Sequence, residues 1–234
     1  MPRFGLNSLY LSLVSGIVFL GLYNLQSAKE TFKDRLHAQL HAQEVDSLNV
    51  DAIYFGSTVT LRHISSTGGY LHSHPLFYPA GSKQQQVTVS PQRSEETMWR
   101  IYNATIRDET RPDPQALAQP VVSGSTVMLR HVPTSKHLHS HADISPPVSL
   151  DGNFQEVTGY GLIGFAGDAN DDWIVEPTQG GVLATASPFR LRHRITGCHL
   201  SSHGAFLPEW GLGLQEVLCS RQESGDDLWI IDAI

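Results

Sequence analysis

From residue 57 onward, apolar and polar residues alternate in short runs. In Ser57 to His63, an extended chain places Val59, Leu61 and His63 on one face, with Thr60 and Arg62 on the other. Val127, Leu129 and His131 repeat the pattern, as do Phe189, Leu191 and His193. Each run leads through a turn signal (Gly68-Gly69, Thr134-Ser135-Lys136, Thr196-Gly197) into a second run. These second runs are Leu71-His72-Ser73-His74, Leu138-His139-Ser140-His141 and Leu200-Ser201-Ser202-His203. A loop with Pro and Gly follows, then Gln85-Gln86-Val87, Gln155-Glu156-Val157 or Gln215-Glu216-Val217, then a strand around Trp99, Trp173 or Trp229. The Leu-Arg-His starts lie 68 and 62 residues apart. Four elements recurring three times in one order identify an internal repeat, which has to be found before a fold is assigned.

Four strands per repeat predict twelve, with no long helical periodicity after residue 50. The expected fold is all-β, a β-trefoil over 51–234 with repeats at about 51–105, 119–178 and 184–234. Two strands of each unit would form a barrel and the remaining hairpins a cap, a closure that leaves few exposed sheet edges. Val59, Leu61, Leu71, Val87, Trp99 and their equivalents form the expected core.

The chain before the repeats differs. Phe4 to Leu25 is an apolar stretch of the length that spans a bilayer. Residues 1–28 therefore read as a transmembrane helix or signal anchor, with a cleaved signal peptide as the alternative. Phe32, Leu36 and Leu40 make a narrow apolar stripe, so 29–50 reads as a short amphipathic helix and linker. Lys29, Lys33 and Arg35 would favour a cytoplasmic C-terminal side. Asn103-Ala104-Thr105, a glycosylation sequon at Asn103, favours a luminal one.

A net charge of −7 argues against a nucleic-acid partner, which needs clustered Lys and Arg. The two cysteines, Cys198 and Cys219, lack the paired Cys or His at short spacing that a zinc set needs. Antiparallel pairing of Leu200 with Val217 would set them opposite each other, so either a disulfide or two buried thiols fits.

The histidines divide in two. His63, His131 and His193 fall on the apolar face and read as core histidines with both nitrogens hydrogen-bonded. His72 and His74, and His139 and His141, leave their strands on one side and are expected to be exposed. With His203 and the repeated Gln85, Gln155 and Gln215, they are the candidate ligand-binding residues. No third acidic or thiolate ligand stands at a repeated position on that face, so neither metal nor cofactor is expected. Asp168, Asp171 and Asp172 lack calcium-loop spacing and read as a solvated turn. No catalytic motif appears, so no catalytic residue is assigned.

Gly69-Tyr70-Leu71-His72-Ser73-His74, Gly81-Ser82-Lys83-Gln84-Gln85-Gln86-Val87, Leu138-His139-Ser140-His141 and the run from Gly164 to Trp173 resemble the MIR domain. More narrowly, with Thr196-Gly197-Cys198 and Leu207-Pro208-Glu209-Trp210-Gly211, they are similar to the MIR domain of dolichyl-phosphate-mannose–protein mannosyltransferases. The resemblance covers about residues 50 to 232. It implies a trefoil in the lumen of the endoplasmic reticulum, held by a membrane helix and part of an enzyme that moves mannose to Ser or Thr of secretory proteins. It implies a lectin-like module for acceptor or O-mannosylated segments, and a mannosyltransferase partner subunit. The family's catalytic carboxylates lie upstream of the trefoil, so this chain is expected to be a piece without them. The alternatives are a part of an active mannosyltransferase, or a quality-control factor like the stromal-cell-derived-factor-2 proteins.

Overall fold

The computed structural model describes residues 51–65, 68–107 and 117–232, together with Lys33. The expected membrane and amphipathic helices lie outside the described residues. Among the described residues no helix is long and apolar enough to cross a membrane.

The first repeat supplies β1 (Thr58–His63), β2 (Tyr70–Phe77), β3 (Gln85–Ser90) and β4 (Trp99–Asn103). The second supplies β5 (Thr126–His131), β6 (His137–Ser140), β7 (Phe154–Tyr160) and β8 (Trp173–Pro177). The third supplies β9 (Phe189–His193), β10 (His199–Phe206), β11 (Gln215–Ser220) and β12 (Trp229–Asp232). The alternating runs thus become strands, and all the pairings are antiparallel. Strand β1 pairs β4, β4 pairs β5, β5 pairs β8, β8 pairs β9, β9 pairs β12, and β12 returns to β1. That ring is a closed barrel without a free edge. The hairpins β2–β3, β6–β7 and β10–β11 join each other through β3, β7 and β11, each of which pairs the other two.

The core follows the repeated apolar row. Val59 opposes Trp99, Val127 opposes Trp173 and Phe189 opposes Trp229. Each tryptophan is wholly buried. Its indole N–H donates to a carbonyl of its own repeat's hairpin: Trp99 to Leu71 at 3.0 Å, Trp173 to Leu138 at 2.9 Å, Trp229 to Leu200 at 2.9 Å. On the other side each meets the next repeat's histidine, with ring centroids 5.0 Å apart for Trp99–His131 and Trp173–His193, and 4.7 Å for Trp229–His63.

These histidines are fully buried and bonded at both nitrogens. Each Nε2 reaches a carbonyl in the preceding repeat: His131 to Glu96, His193 to Asn170, and His63 to Asp226 in the third. The Nδ1 of His131 meets Thr134 Oγ1, that of His193 meets Thr196 Oγ1, and that of His63 meets the Ser65 carbonyl.

Cys198 and Cys219 form a disulfide, but not through the expected register. Leu200 pairs with Cys219, and it is Ser202 that pairs with Val217. The loop closes from Leu207 N–H to the Leu214 carbonyl, and an irregularity between Ser202 and Phe206 shifts the pairing by two residues. The cysteines therefore bridge diagonally, with Cα atoms 5.4 Å apart.

Trp173→Ala removes a buried indole and leaves the Leu138 carbonyl unpaired. It should cost about 3–5 kcal/mol in chemical denaturation; an unchanged midpoint would refute the stitching role. Reducing the disulfide, which spans 21 residues, should cost about 3 kcal/mol, read as a drop in melting temperature absent from Cys198→Ser/Cys219→Ser. Burial lowers His131 from 6.5 to about 4, and lowers His193 too. Between those values the unfolded chain binds more protons than the folded one. Stability from these groups is complete above pH 6.5 and lost as pH falls toward 4. For His131 the loss approaches about 3 kcal/mol. Melting curves from pH 7.5 to 4.5 should show this decline, flattened in His131→Asn.

Candidate functional site

The triangle of hairpins carries every candidate side chain named from the sequence. Both faces of its strands are covered, so β3, β7 and β11 are buried along nearly their whole length. The expectation that the Leu-His-Ser-His residues stand exposed is overturned. His72, His74, His139, Gln85, Gln155 and Gln215 are all buried; His141 and His203 are half-buried.

The serine at the centre of each run explains the motif. Ser73 Oγ donates to the Gln86 carbonyl, Ser140 to that of Glu156, Ser202 to that of Glu216. Gln85 Nε2 then donates to Ser73 Oγ and Thr134 Oγ1, both at 2.8 Å. Gln215 does the same to Ser202 Oγ. The Gln155 carboxamide lies 3.2 Å from Cys198 Sγ. A disulfide sulfur carries no hydrogen, so the carboxamide nitrogen is the end that fits there.

The histidines are similarly engaged. His72 bonds Thr88 Oγ1 at 2.9 Å and Glu96 Oε2 at 3.2 Å, and burial lowers its pKa against the opposing effect of Glu96. His74 Nε2 meets Gln86 Oε1 at 3.1 Å. His139 Nδ1 donates to Asp171 Oδ1 at 2.7 Å. His141 packs edge-on to His139 at 4.5 Å, and burial followed by His139 lowers its pKa. His203 Nε2 meets Ser149 Oγ at 2.9 Å. Ser201, which replaces the first histidine of the third run, donates to the His199 carbonyl. Asn103 ends β4, and its Oδ1 accepts from the Thr105 N–H and hydroxyl.

The middle residue of Gln-x-Val ties the hairpin loops. Gln86 Nε2 donates to the carbonyls of Phe77 and Trp210. Glu156 accepts from the Ser82 N–H. Glu216 accepts from the Val148 and Ser149 N–H groups at 2.8 and 3.1 Å. Each repeat therefore holds a loop of the repeat before it, the first holding that of the third. Burial raises the Glu156 pKa, with the Ser82 bonds opposing.

The acidic run is not a solvated turn either. Asp171 and Asp172 are fully buried. Asp172 takes both oxygens of its carboxylate to Arg107 at 2.7 and 2.8 Å, and one to Arg194 at 3.0 Å. His139, Asp168 and Asp171 bring ligand-type atoms within 4.8 Å of one another. Asp171 already accepts from the Asp168 N–H and His139, and Asp168 from the Asn170 N–H, so the trio is a capped turn held by its own hydrogen bonds. A cavity of about 550 Å³ lies between the first two repeats, lined by Phe77, Gln85, Lys136, Tyr160, Leu162 and Phe165 among others. Of these, only Gln85 was a candidate from the sequence. The available signal was the longer segment before Trp173.

The MIR domain family model matches residues 69–231. Dolichyl-phosphate-mannose–protein mannosyltransferase 1 of Candida albicans is 43% identical over 79% of this chain and 21% of its own length. Its Saccharomyces cerevisiae namesake is 41% identical over 86% of this chain and 25% of its own. The chain thus spans about a quarter or less of these relatives. Among solved structures, the S. cerevisiae protein O-mannosyltransferase Pmt1-Pmt2 complex bound to the sugar donor superposes with a TM-score of 0.68 at 38% identity, over 78% of this chain and 25% of that one. The SDF2-like protein of Arabidopsis thaliana gives 0.66 at 30% identity, over 77% of this chain and 94% of that one. With its three repeats, its closed barrel and a family model matched across most of its length, the chain belongs to the MIR domain family.

Proposed function

We propose that residues 51–234 are the MIR β-trefoil of a protein O-mannosyltransferase and serve recognition rather than chemistry. On this reading the trefoil faces the lumen of the endoplasmic reticulum, tethered by the N-terminal segment. It holds acceptor or O-mannosylated segments of secretory proteins for a catalytic region carried elsewhere. A mannosyltransferase partner subunit fits the reading, since a solved relative is a Pmt1-Pmt2 complex. The observation that carries it is the fate of the repeated polar residues. The buried histidines, glutamines and serines of the hairpins are drawn into hydrogen bonds within their repeats, and Gln85 reaches Thr134 of the next. The half-buried His141 and His203 remain at the surface, with an apolar cavity between two repeats. Such a scaffold with a preformed concave surface suits binding, and function is argued from such sites rather than from the fold.

A second reading, a luminal quality-control factor, is favoured by the near-complete coverage of the SDF2-like chain. Its lower identity, 30% against 41–43% for the mannosyltransferases, weighs against it.

Titrating the isotope-labelled full chain with mannosides and with Ser/Thr peptides checks the proposal. Shifts are expected at the hairpin surface, around His141, His203 and the cavity. Silence toward both probes would end it. Transfer of mannose from dolichyl-phosphate mannose to a peptide by this chain alone would replace recognition with catalysis.

A further inference from the structure

The threefold pattern also breaks at the end of each hairpin. Gly69, Lys136 and Cys198 are equivalent, since their carbonyls accept from His63, His131 and His193 at 2.8, 2.8 and 2.7 Å. Two residues after the repeated valines stand Val89, Gly159 and Cys219. Val89 covers Gly69, and the cysteines bond to each other. In the second repeat the strand is bare at Gly159, and Lys136 lies beside it. The chain beyond is also longer: sixteen residues separate Val157 from Trp173, against twelve from Val87 to Trp99 and twelve from Val217 to Trp229. The extra length is a strap at 161–164.

Gly161 and Gly164, which bound the strap, take φ of 102° and 82°, conformations open to glycine. At its tip Leu162 and Ile163 are 75% and 87% exposed. Its base is fixed, because the Lys136 ammonium donates to the Gly161 carbonyl and Phe165 packs edge-on to Tyr160 at 5.6 Å. The strap lines the 550 Å³ cavity together with Phe77 and the exposed Lys83. The lining contains no carboxylate, in a chain whose net charge is −7. A pocket of this size takes a few side chains. Apolar walls beside an ammonium match an apolar group next to an anion. The half-buried Gln84 adds a carboxamide, which pairs with peptide amides and offers nothing to a hydrocarbon chain.

We infer that this cavity binds a short protein segment that presents a bulky apolar residue next to Asp or Glu, an inference that rests on the recognition reading above. The carboxylate meets Lys83, and the apolar side chain lies between Phe77 and the Leu162–Ile163 strap. Anisotropy of a fluorescein-labelled Gly-Ser-Leu-Phe-Asp-Ser-Gly peptide against the full chain tests it. Leu162→Ser/Ile163→Ser and Lys83→Glu should each weaken binding about tenfold or more, as expected for an interface anchor. An Asn-for-Asp peptide should weaken similarly. Leu150→Ser, at a residue 74% exposed on another loop, should bind like the native chain. All three variants alter surface residues and should leave the melting temperature unchanged. Peptide binding that ignores the strap and Lys83 overturns the location while the recognition reading stands. No binding of any peptide or mannoside overturns both. Strap-dependent binding to phosphatidylcholine vesicles without strap-dependent peptide binding replaces the peptide by a lipid surface.

Discussion

An indole in a dry core carries one donor that has to be paired, and here that donor positions the molecule. Leaving it unpaired costs about 1–3 kcal/mol. Each tryptophan lies on the barrel while its acceptor, the leucine carbonyl at the start of the hairpin, lies in the cap. The bond therefore fixes cap to barrel within a repeat. The histidine packed on the indole comes from the following repeat, and its Nε2 returns to the turn before the tryptophan strand. Repeat to repeat, the same contact closes the ring. A single unit leaves a tryptophan without its histidine, so three units form one folding object rather than three.

The same closure governs the middle residue of Gln-x-Val. In the first repeat the groups to be held are carbonyls, of Phe77 and Trp210, and the residue is Gln86, which has an N–H to give. In the second and third they are N–H groups, of Ser82, Val148 and Ser149, and the residues are Glu156 and Glu216, which only accept when ionised. Buried carboxylates are costly unless hydrogen-bonded. Glu156, with one such N–H, has its proton affinity raised by burial. Each choice of side chain follows from the polarity of a loop in another repeat, which strand alternation does not reveal.

That distinction separates what the sequence made legible from what it did not. The apolar row from Val59 to Trp229 and the double bonding of the Leu-Arg-His histidines were readable, because both depend on which face of one strand a residue occupies. Exposure of the Leu-His-Ser-His residues was misjudged because alternation assigns faces, not coverings. The hairpins pack into a triangle and loops cross their outer side, so His72, His74 and His139 are buried on the face away from the barrel. Asp171 and Asp172 were misjudged for a related reason. Their partners His139, Arg107 and Arg194 are distant in sequence, and a charge run without visible partners looks solvated.

The diagonal pair at the end of each hairpin shows how a repeated fold admits a local difference. One location is occupied by Gly69 with Val89, Lys136 with Gly159, and Cys198 with Cys219. A Cβ at position 69 would come within 2.5 Å of Val89 Cγ1, so the first repeat can have only one side chain there. The second inverts the choice, with the side chain on the other strand and glycine beneath it. The third supplies two side chains and joins them covalently. All three fill the space, and the neighbouring glutamine adapts: Gln85 pairs across the strands with Gly159, Gln155 with Cys219 and Gln215 with Val89. The inverted version alone brings an amine to a lengthened strand exit, where it holds the Gly161 carbonyl, and the cavity lies where those two departures meet.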